Sequence, residues 1–254
     1  MNTPPENPSV ILANHSHRPW SRPANAWVMA QSWSQLLFAH WPVSADVLRP
    51  LIPAKLQIDT FDGQSWIGVV PFYMSHVRAR GLPLIPGTNA FCELNVRTYV
   101  TDGNKPGVWF FSLDATNPLM VFGARTAFHL PYYRAEMSLK REGDTITYYS
   151  RRKHPGARPG EFSAIYCPSS PVFRSTPGTL ASWFTERYCL YALDRGGQLY
   201  RGEIHHAPWP LQDAQADIRV NSMAEAAGIQ LPNTAPLLHY AERLDVLTWY
   251  LQRL

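Results

Sequence analysis

The sequence predicts an α+β fold that is mainly antiparallel β-sheet, and three observations lead to this prediction. Segments rich in β-branched and aromatic residues flank glycine-containing turns, as residues 91–101 and 107–113 do around Asp102-Gly103. Prolines recur from end to end, 23 in 254 residues, and divide the chain into short elements. Helical patterns are few and short. Since no repeat or composition break divides the chain, one domain over 25–254 is the economical interpretation.

Each remaining element has a local signal. Two further hairpins are predicted, 56–61 with 64–70 and 188–193 with 198–206. Three short helices are predicted near 44–52, 118–129 and 177–186, each beginning at a capping residue or at a proline in the first turn. The C-terminal segment 237–254 fits a helical stripe, yet its β-branched and aromatic content is typical of a strand, so both alternatives stay open.

Composition restricts the class of protein. Hydrophobic residues make up 45% and charged residues 17% of the chain, and no run of 18 apolar residues is present. We therefore expect a soluble globular protein, not a disordered, coiled-coil or membrane-spanning chain. The net charge of +4 is scattered, and the densest basic stretch, 151–158, is interpreted as a solvated loop. Nucleic acid and membranes are not expected as partners, whereas abundant arginine favours recognition of carboxylates.

The cysteines and the N-terminal segment indicate the cellular compartment of the protein. Cys92, Cys167 and Cys189 are too few and too widely spaced for a disulfide framework or a metal knuckle. A reduced, cytoplasmic protein is expected. Residues 1–24 lack the pattern of a secretory signal and are predicted to form an irregular arm.

The common catalytic and phosphate-binding motifs are absent from the sequence. The adjacent pair His205-His206 would lie on a strand, where successive side chains point to opposite faces, so at most one could reach a given metal. We expect no metal site and no cofactor.

The most informative segment is the strand 91–100. Alternation places Glu93, Asn95 and Arg97 on one face, opposite apolar residues that include Leu94 and Val96. From the pattern alone the polar face meets water. The functional alternative is a strip lining a cavity, with Glu93 as a general base and Arg97 as a carboxylate clamp.

Two other clusters could carry chemistry. Arg125 and His129 are four residues apart on a predicted helix, a spacing that is more often a surface pair. The run Thr185-Glu186-Arg187-Tyr188 lies at the exit of the third predicted helix, with Trp209 one hairpin away, and aromatic residues this dense are mostly core.

Several segments together resemble the YqjF-like family, a group without an assigned activity whose fold is similar to that of acetoacetate decarboxylase. The matches run in order from about residue 33 to residue 210. They are LLFAHWPV (36–43), DTFDG (59–63), VPF (70–72), ELNVRTYV (93–100), LPYY (130–133) and ERY (186–188). The resemblance implies a twisted, cone-like antiparallel β-barrel around an internal cavity, with short peripheral helices and a C-terminal strand.

The resemblance also bears on the chemistry. In the decarboxylases a lysine that follows a Phe-Pro pair forms a Schiff base with the keto acid, whereas the similar segment here places Tyr132 at that position. A phenol cannot form an imine, and none of the four lysines replaces it convincingly. The cavity glutamate of the family corresponds to Glu93, which favours the cavity interpretation of that strand face.

Two functions therefore remain open. The first is an enzyme of lyase or isomerase type acting on a small oxo or carboxylic acid without imine chemistry, in which Glu93 moves a proton and Tyr132 donates to a developing oxyanion. The second is a small-molecule binding or sensing protein that keeps the cavity without the reaction. Under either, we expect a polar, anionic ligand, and the sequence leaves association with further copies of the chain open. The expected ligand-binding residues are Arg97, Arg125, Asn95, His40 and Tyr188.

Overall fold

Strands dominate the computed structural model, which describes residues 4–84, 87 and 89–254. Thirteen strands lie in this part of the chain. They are Met29–Val43 (β1), Gln57–Ile58 (β2), Ser65–Ala79 (β3), Phe91–Thr101 (β4), Pro106–Ala115 (β5), Tyr132–Glu142 (β6), Thr145–Arg152 (β7), Glu161–Pro168 (β8), Cys189–Leu193 (β9), Leu199–His206 (β10), Leu211–Asn221 (β11), Leu237–Thr248 (β12) and Gln252–Arg253 (β13).

The helices are short, and most begin at a capping side chain. They are Pro8–Ala13 (α1), Ala45–Leu48 (α2), Pro118–Ala127 (α3), Leu180–Thr185 (α4) and Met223–Ala226 (α5), with a 3₁₀ turn at Arg49–Leu51. Asn117 accepts hydrogen bonds from the backbone N–H groups of Leu119 and Met120, and Pro118 occupies the first turn of α3, where a missing N–H costs nothing. In the described residues no helix is long and apolar enough to cross a membrane.

The sheet is a curved wall of five strands, β12-β1-β3-β4-β5, that forks at both of its edges. On one side the branch β6-β7-β8-β11 connects β5 back to β12 and closes a ring of nine strands. On the other side β9 and β10 make the same connection and close a ring of seven. Only the pairings of β5 with β6 and with β9 are parallel among the described strands. The expected mainly antiparallel barrel is thus confirmed.

The two faces of the wall enter different cores. On β4, Leu94 and Val96 pack with Tyr148 and Phe162 of the nine-stranded ring. The opposite face of the wall, which carries Glu93, contacts a second core and the cavity described below. Because side chains alternate along a strand, the polar residues at positions 93, 95 and 97 of β4 all face the same space.

Most of the predicted elements are present where the sequence places them. The β4–β5 and β9–β10 hairpins form, and the C-terminal segment is a strand, β12, that pairs along β1. The predicted hairpin of residues 56–61 with residues 64–70 is wrong. Phe61 and Gln64 form only an isolated bridge, and β2 pairs with Val100 and Thr101 of β4, just beyond Thr98, where the β3–β4 pairing begins. The third helix begins at Leu180, where the Thr179 side chain caps it, and not at Pro177.

The N-terminal segment is less irregular than expected, since it contains α1. The Asn7 side chain accepts a hydrogen bond from the Ser9 N–H, and Pro8 follows at the first helical position, a start signal visible in the sequence. Beyond the helix, the Arg18 guanidinium and the Trp20 indole N–H both donate to Glu203 Oε2, at 3.0 and 2.9 Å. These contacts fasten the segment to β10.

Candidate functional site

A cavity of about 330 Å³ lies against the face of the wall that β9 and β10 cover. Its walls are mostly aliphatic and aromatic, which differs from the polar cavity that the sequence suggested. Residues from β1, β3, β4, β5 and β10 contribute, and α3 lies over it with Met120 and Ala124. Polar side chains interrupt this lining at several places, Gln31, Glu203 and His206 among them. Of the predicted site residues, Glu93, Asn95, Arg97 and Tyr132 line it.

Glu93 and Tyr132 form a direct pair within this cavity. The Tyr132 hydroxyl donates to Glu93 Oε2 at 2.9 Å, and both side chains are buried. β5 lies between their strands and sets the geometry, with Ala115 opposite Glu93 and Leu113 opposite Tyr132. All four side chains share one face of three adjacent strands, so the phenol reaches the carboxyl across β5.

Burial dominates the electrostatics of this pair. It raises the pKa of Glu93 to about 8, even though the hydrogen bond from Tyr132 acts in the opposite direction. The nearby Asp114 carboxylate adds to the rise in the Glu93 pKa. Burial and the neighbouring carboxyl raise the pKa of the Tyr132 phenol well above its ordinary value. At neutral pH most of the carboxyl is therefore protonated with a minority as carboxylate, and the phenol remains a hydrogen-bond donor across the biological range.

Asn95 and Arg97 follow Glu93 along the same face of β4. Asn95 is 5% exposed, and its Oδ1 has no hydrogen-bond partner among the described residues. The Arg97 guanidinium lies 5.2 Å from the centre of the Phe38 ring, donates to the Tyr99 hydroxyl at 3.5 Å, and has no carboxylate within salt-bridge distance in the described part of the chain. Its Nε–H likewise lacks a partner there.

Arg187 also lines the cavity and was not predicted as a site residue. It lies just after α4, is 5% exposed, and pairs with Asp59 at 2.5 Å. One terminal nitrogen, Nη2, has no partner in the described residues. The family motif ERY contains Arg187, so a signal was present in the sequence, although only Tyr188 of that motif was predicted to bind ligand.

Arg125 does not lie at the cavity, so its prediction as a cavity cation is wrong. It donates to the Tyr132 backbone carbonyl at 2.6 Å and borders two outer clefts. The inner face of α3 is formed by Met120, Ala124 and Ala127, and Arg125 follows one of these by a single position, which rotates it away. His129, its predicted partner on a helix face, lies beyond the last helical residue and packs on Tyr200.

His40 and Tyr188 were also predicted to bind ligand, and neither lines the cavity. His40 is fully buried, stacks on Phe184 at 3.8 Å and shares a 2.6 Å hydrogen bond with the Tyr99 hydroxyl. Burial and then Arg97 lower its pKa well below the ordinary value, so the ring is neutral. Tyr188 donates to Glu186 and stacks on His206. Both are buried aromatic residues of the core that pack outside the cavity lining.

No lysine is among the described residues that line the cavity. Lys105 contacts the cavity lining indirectly, because its ammonium group pairs with Glu203, which lines the cavity. Lys140 and Lys153 form exposed pairs with Glu142 and Glu136. In the described part of the chain, no group of three His, Cys, Asp or Glu side chains is arranged to hold a metal ion.

Comparisons with known proteins identify the relatives of this chain. Residues 30–245 match the model of the DUF2071 family, described as an uncharacterized conserved protein. The YqjF protein of Bacillus subtilis (strain 168) is 51% identical over 233 residues, which cover 92% of this chain and 95% of that protein.

Solved structures share the fold at low sequence identity. The enduracididine biosynthesis enzyme MppR, complexed with the condensation product of pyruvate and imidazole 4-carboxaldehyde, superposes with a TM-score of 0.65 at 10% identity, over 90% of each chain. Acetoacetate decarboxylase from Legionella pneumophila gives 0.59 at 14% identity, over 96% of this chain and 95% of that one. Because the family match spans most of the sequence and half of the aligned residues are identical to YqjF, this chain belongs to the DUF2071 family and has the acetoacetate decarboxylase-like fold.

Proposed function

We propose that this protein is an enzyme that binds a small carbonyl compound bearing a carboxylate in the cavity and moves a proton on it through Glu93. The observation that carries the proposal is the 2.9 Å hydrogen bond from Tyr132 to Glu93, buried within the cavity. The reaction class is that of a lyase or isomerase without an imine intermediate, because a carboxyl and a phenol can exchange protons with a carbonyl compound but cannot condense with it.

The pKa of the carboxyl suits this task. A general acid or base works best when its pKa lies near the pH of operation, and burial brings the pKa of Glu93 to about 8. As a carboxylate, Glu93 would take a proton from the carbon next to the ligand carbonyl, forming an O–H bond as the C–H bond breaks. The electron pair moves onto the carbonyl oxygen. Tyr132, which keeps its proton, would donate to that oxygen and stabilise its negative charge.

The other polar groups of the cavity support a ligand that accepts hydrogen bonds. Indole N–H groups of Trp33 and Trp209 and guanidinium N–H groups of Arg97 and Arg187 lack partners among the described residues. All four side chains line the cavity. Donors left unpaired in a buried site are satisfied by a bound acceptor or by water, since an unsatisfied buried donor costs about 1–3 kcal/mol. A carboxylate and a carbonyl are such acceptors.

The test is exchange of ligand hydrogens with solvent. A panel of oxo acids is incubated with the protein in deuterium oxide, and loss of the proton NMR signal next to each carbonyl is followed. We expect exchange with the wild-type protein and none with Glu93→Gln, which removes the titrating group at nearly constant volume. Glu242→Gln is the matched control, because that carboxylate is half exposed and pairs with Arg141 outside the cavity.

The outcomes separate the two functions that the sequence left open. Exchange that persists in Glu93→Gln would show that another group moves the proton. A small molecule that co-purifies with the protein, identified by mass spectrometry, but that undergoes no exchange would favour a binding or sensing protein.

A further inference from the structure

Two arginines meet at the end of the cavity away from the Glu93–Tyr132 pair. Arg97 lies four residues beyond Glu93 on β4, and Arg187 follows α4. Both guanidinium groups lie near the Tyr99 ring, their Cζ atoms 5.7 and 4.9 Å from its centre. Arg187 is fixed in place by stacking on Trp183 at 4.4 Å and by a 2.6 Å hydrogen bond to the Trp183 carbonyl. Two cations are thus held side by side at one end of a mostly apolar space.

The charge at this end is not balanced within the described part of the chain. Asp59 pairs with Arg187, and no carboxylate lies within salt-bridge distance of Arg97. One positive charge therefore remains. His40, which shares the Tyr99 hydroxyl with Arg97, is neutral and adds no charge. A single negative charge on a ligand would balance the group, and guanidinium forks are well matched to a carboxylate.

Space for this arrangement is provided by Gly68, which faces Arg97 from β3. A Cβ atom at Gly68 would lie 3.0 Å from His40 Nε2 and 3.5 Å from Arg97 Cγ. A Cβ atom there would displace the His40 ring by a few tenths of an ångström, whereas its distance to Arg97 is an ordinary van der Waals contact. Glycine at this position therefore leaves room for the His40 ring, which shares a hydrogen bond with the Tyr99 hydroxyl.

The distance between the two ends of the cavity limits the ligand. Successive residues of a strand rise by about 3.4 Å, so four residues separate the backbones of Glu93 and Arg97 by roughly 13 Å. The Arg97 guanidinium lies beside the Tyr99 hydroxyl and 5.2 Å from the centre of the Phe38 ring, and no hydrogen bond joins it to Glu93 among the described residues. The wall between the two ends is mostly apolar, with Val70 and Phe72 from β3 beside Asn95.

We infer that Arg97 and Arg187 form a carboxylate-binding subsite, and that the substrate is an oxo acid whose carbonyl lies several carbons from its carboxylate, with an apolar chain between. The inference rests on the proposed function for the role of the carbonyl. It disfavours oxo acids in which the two groups are adjacent, because such a molecule cannot reach both ends of the cavity.

The first experiment measures the subsite alone. Trp33, Trp209 and Trp249 line the cavity, so their fluorescence reports binding. Octanoate and its uncharged analogue octanol are titrated into the wild-type protein, and we expect octanoate to bind at least tenfold more tightly. Arg97→Met and Arg187→Met should each abolish most of that preference while octanol affinity stays the same.

The variants are chosen so that a folding defect cannot be mistaken for the result. Arg97→Met breaks no salt bridge among the described residues, whereas Arg187→Met leaves Asp59 unpaired, so Asp59→Asn is combined with it in a second form. Arg219→Met makes the same substitution at an exposed position and should retain the full preference for octanoate. Equal affinity for octanoate and octanol in the wild-type protein, or a preference that survives in Arg97→Met, would overturn the inference.

The second experiment compares two isomers of oxo-octanoate, one with the oxo group next to the carboxylate and one with it on the penultimate carbon. We expect the second isomer to bind at least several-fold more tightly, and Tyr132→Phe to remove that difference. Tighter binding of the first isomer would exclude the proposed substrate class. Hydrogen exchange is scored separately. Arginine-dependent binding of the remote isomer without exchange would refute the proton transfer and leave the subsite in place.

Discussion

The Tyr132 hydroxyl donates to Glu93 Oε2 across 2.9 Å although the two residues are 39 positions apart in the chain. The strand between them, β5, brings Leu113 opposite Tyr132 and Ala115 opposite Glu93, so two sheet registers determine this contact. The same registers place α3, which connects β5 to β6, over the cavity. The pair thus depends on the β4–β5 and β5–β6 registers, and the cavity depends in addition on the strands that cover it, β9 and β10.

Tyr132→Phe should raise the pKa of Glu93 above about 8, because it removes the hydrogen bond that holds this pKa down. It should also lower the free energy of unfolding by about 1–3 kcal/mol, the cost of a buried carboxyl that loses its donor. The carbonyl band of the Glu93 carboxyl, followed by infrared spectroscopy against pH, measures the first effect. Tyr133→Phe is the control, since that ring packs against Arg152 on the other face of the strand. An unchanged titration in Tyr132→Phe would contradict the hydrogen bond.

Glu93 should make the protein less stable as pH rises from about 5 to about 8. An unfolded glutamate loses its proton near its ordinary pKa, whereas the folded one retains it up to about 8, so in this interval the folded state binds more protons. The unfolding free energy then falls by about 1 kcal/mol per pH unit from this group. Urea unfolding of wild-type protein and Glu93→Gln across this range isolates the contribution. A constant difference between them at all pH values would show that Glu93 titrates normally.

The ion pair of Asp114 and Arg152 should show strong coupling. It is buried and bidentate, with Nη2 to Oδ1 at 2.6 Å and Nε to Oδ2 at 2.9 Å. Burial raises the pKa of Asp114 even against the hydrogen bond and charge of Arg152. Asp114→Asn or Arg152→Met alone should cost about 3–5 kcal/mol, because each leaves its partner buried and unpaired. The double variant should cost clearly less than the sum, and additive losses in denaturant unfolding would rule out coupling.

The alternation of polar and apolar residues grouped three polar residues of β4 correctly. It placed Glu93, Asn95 and Arg97 on one face, and the structure has all three at the cavity. Alternation could not decide whether that face met water or an interior, because the covering strands β9 and β10 come much later in the chain. The family resemblance decided it.

Site residues outside β4 were harder to predict because the direction in which their side chains point depends on packing. Arg125 is one position out of phase with the inner face of α3, a difference smaller than the error in a predicted helix start. His40 and Tyr188 lie within matched motifs, but a motif shows that a residue belongs to the family pattern and not which face it occupies. Arg187 was overlooked although its motif was recognised, since its role depends on Asp59 and Trp183, which only the folded chain brings close.

Replacing two glycines by alanine should change the stability of the protein in opposite directions. A Cβ atom at Gly107 would lie 2.7 Å from the Cys189 carbonyl oxygen, so Gly107→Ala must separate β5 from β9 and should destabilise the protein by several kcal/mol, as overpacked sites do. Gly123 lies in α3 with nothing within 4 Å of a Cβ atom, so Gly123→Ala should add up to about 1 kcal/mol through helix propensity. Thermal unfolding measures both. Equal melting temperatures for the two variants would contradict the close packing at β9.

Borohydride treatment with acetoacetate or pyruvate should leave the intact mass of the protein unchanged. An imine needs an uncharged amine at the ligand, and no lysine lies among the described residues that line the cavity. Lys105 contacts a cavity residue, but the Glu203 carboxylate holds its ammonium group in an ion pair, and Arg18 shares that carboxylate. An amine held in this ion pair is not free to attack a carbonyl. A reduced adduct mapped to Lys105 would mean that this ion pair opens and that the protein keeps imine chemistry after all. Lys105→Met distinguishes that case from modification of the exposed lysines, Lys140 and Lys153 among them, because it removes the adduct only if Lys105 forms it.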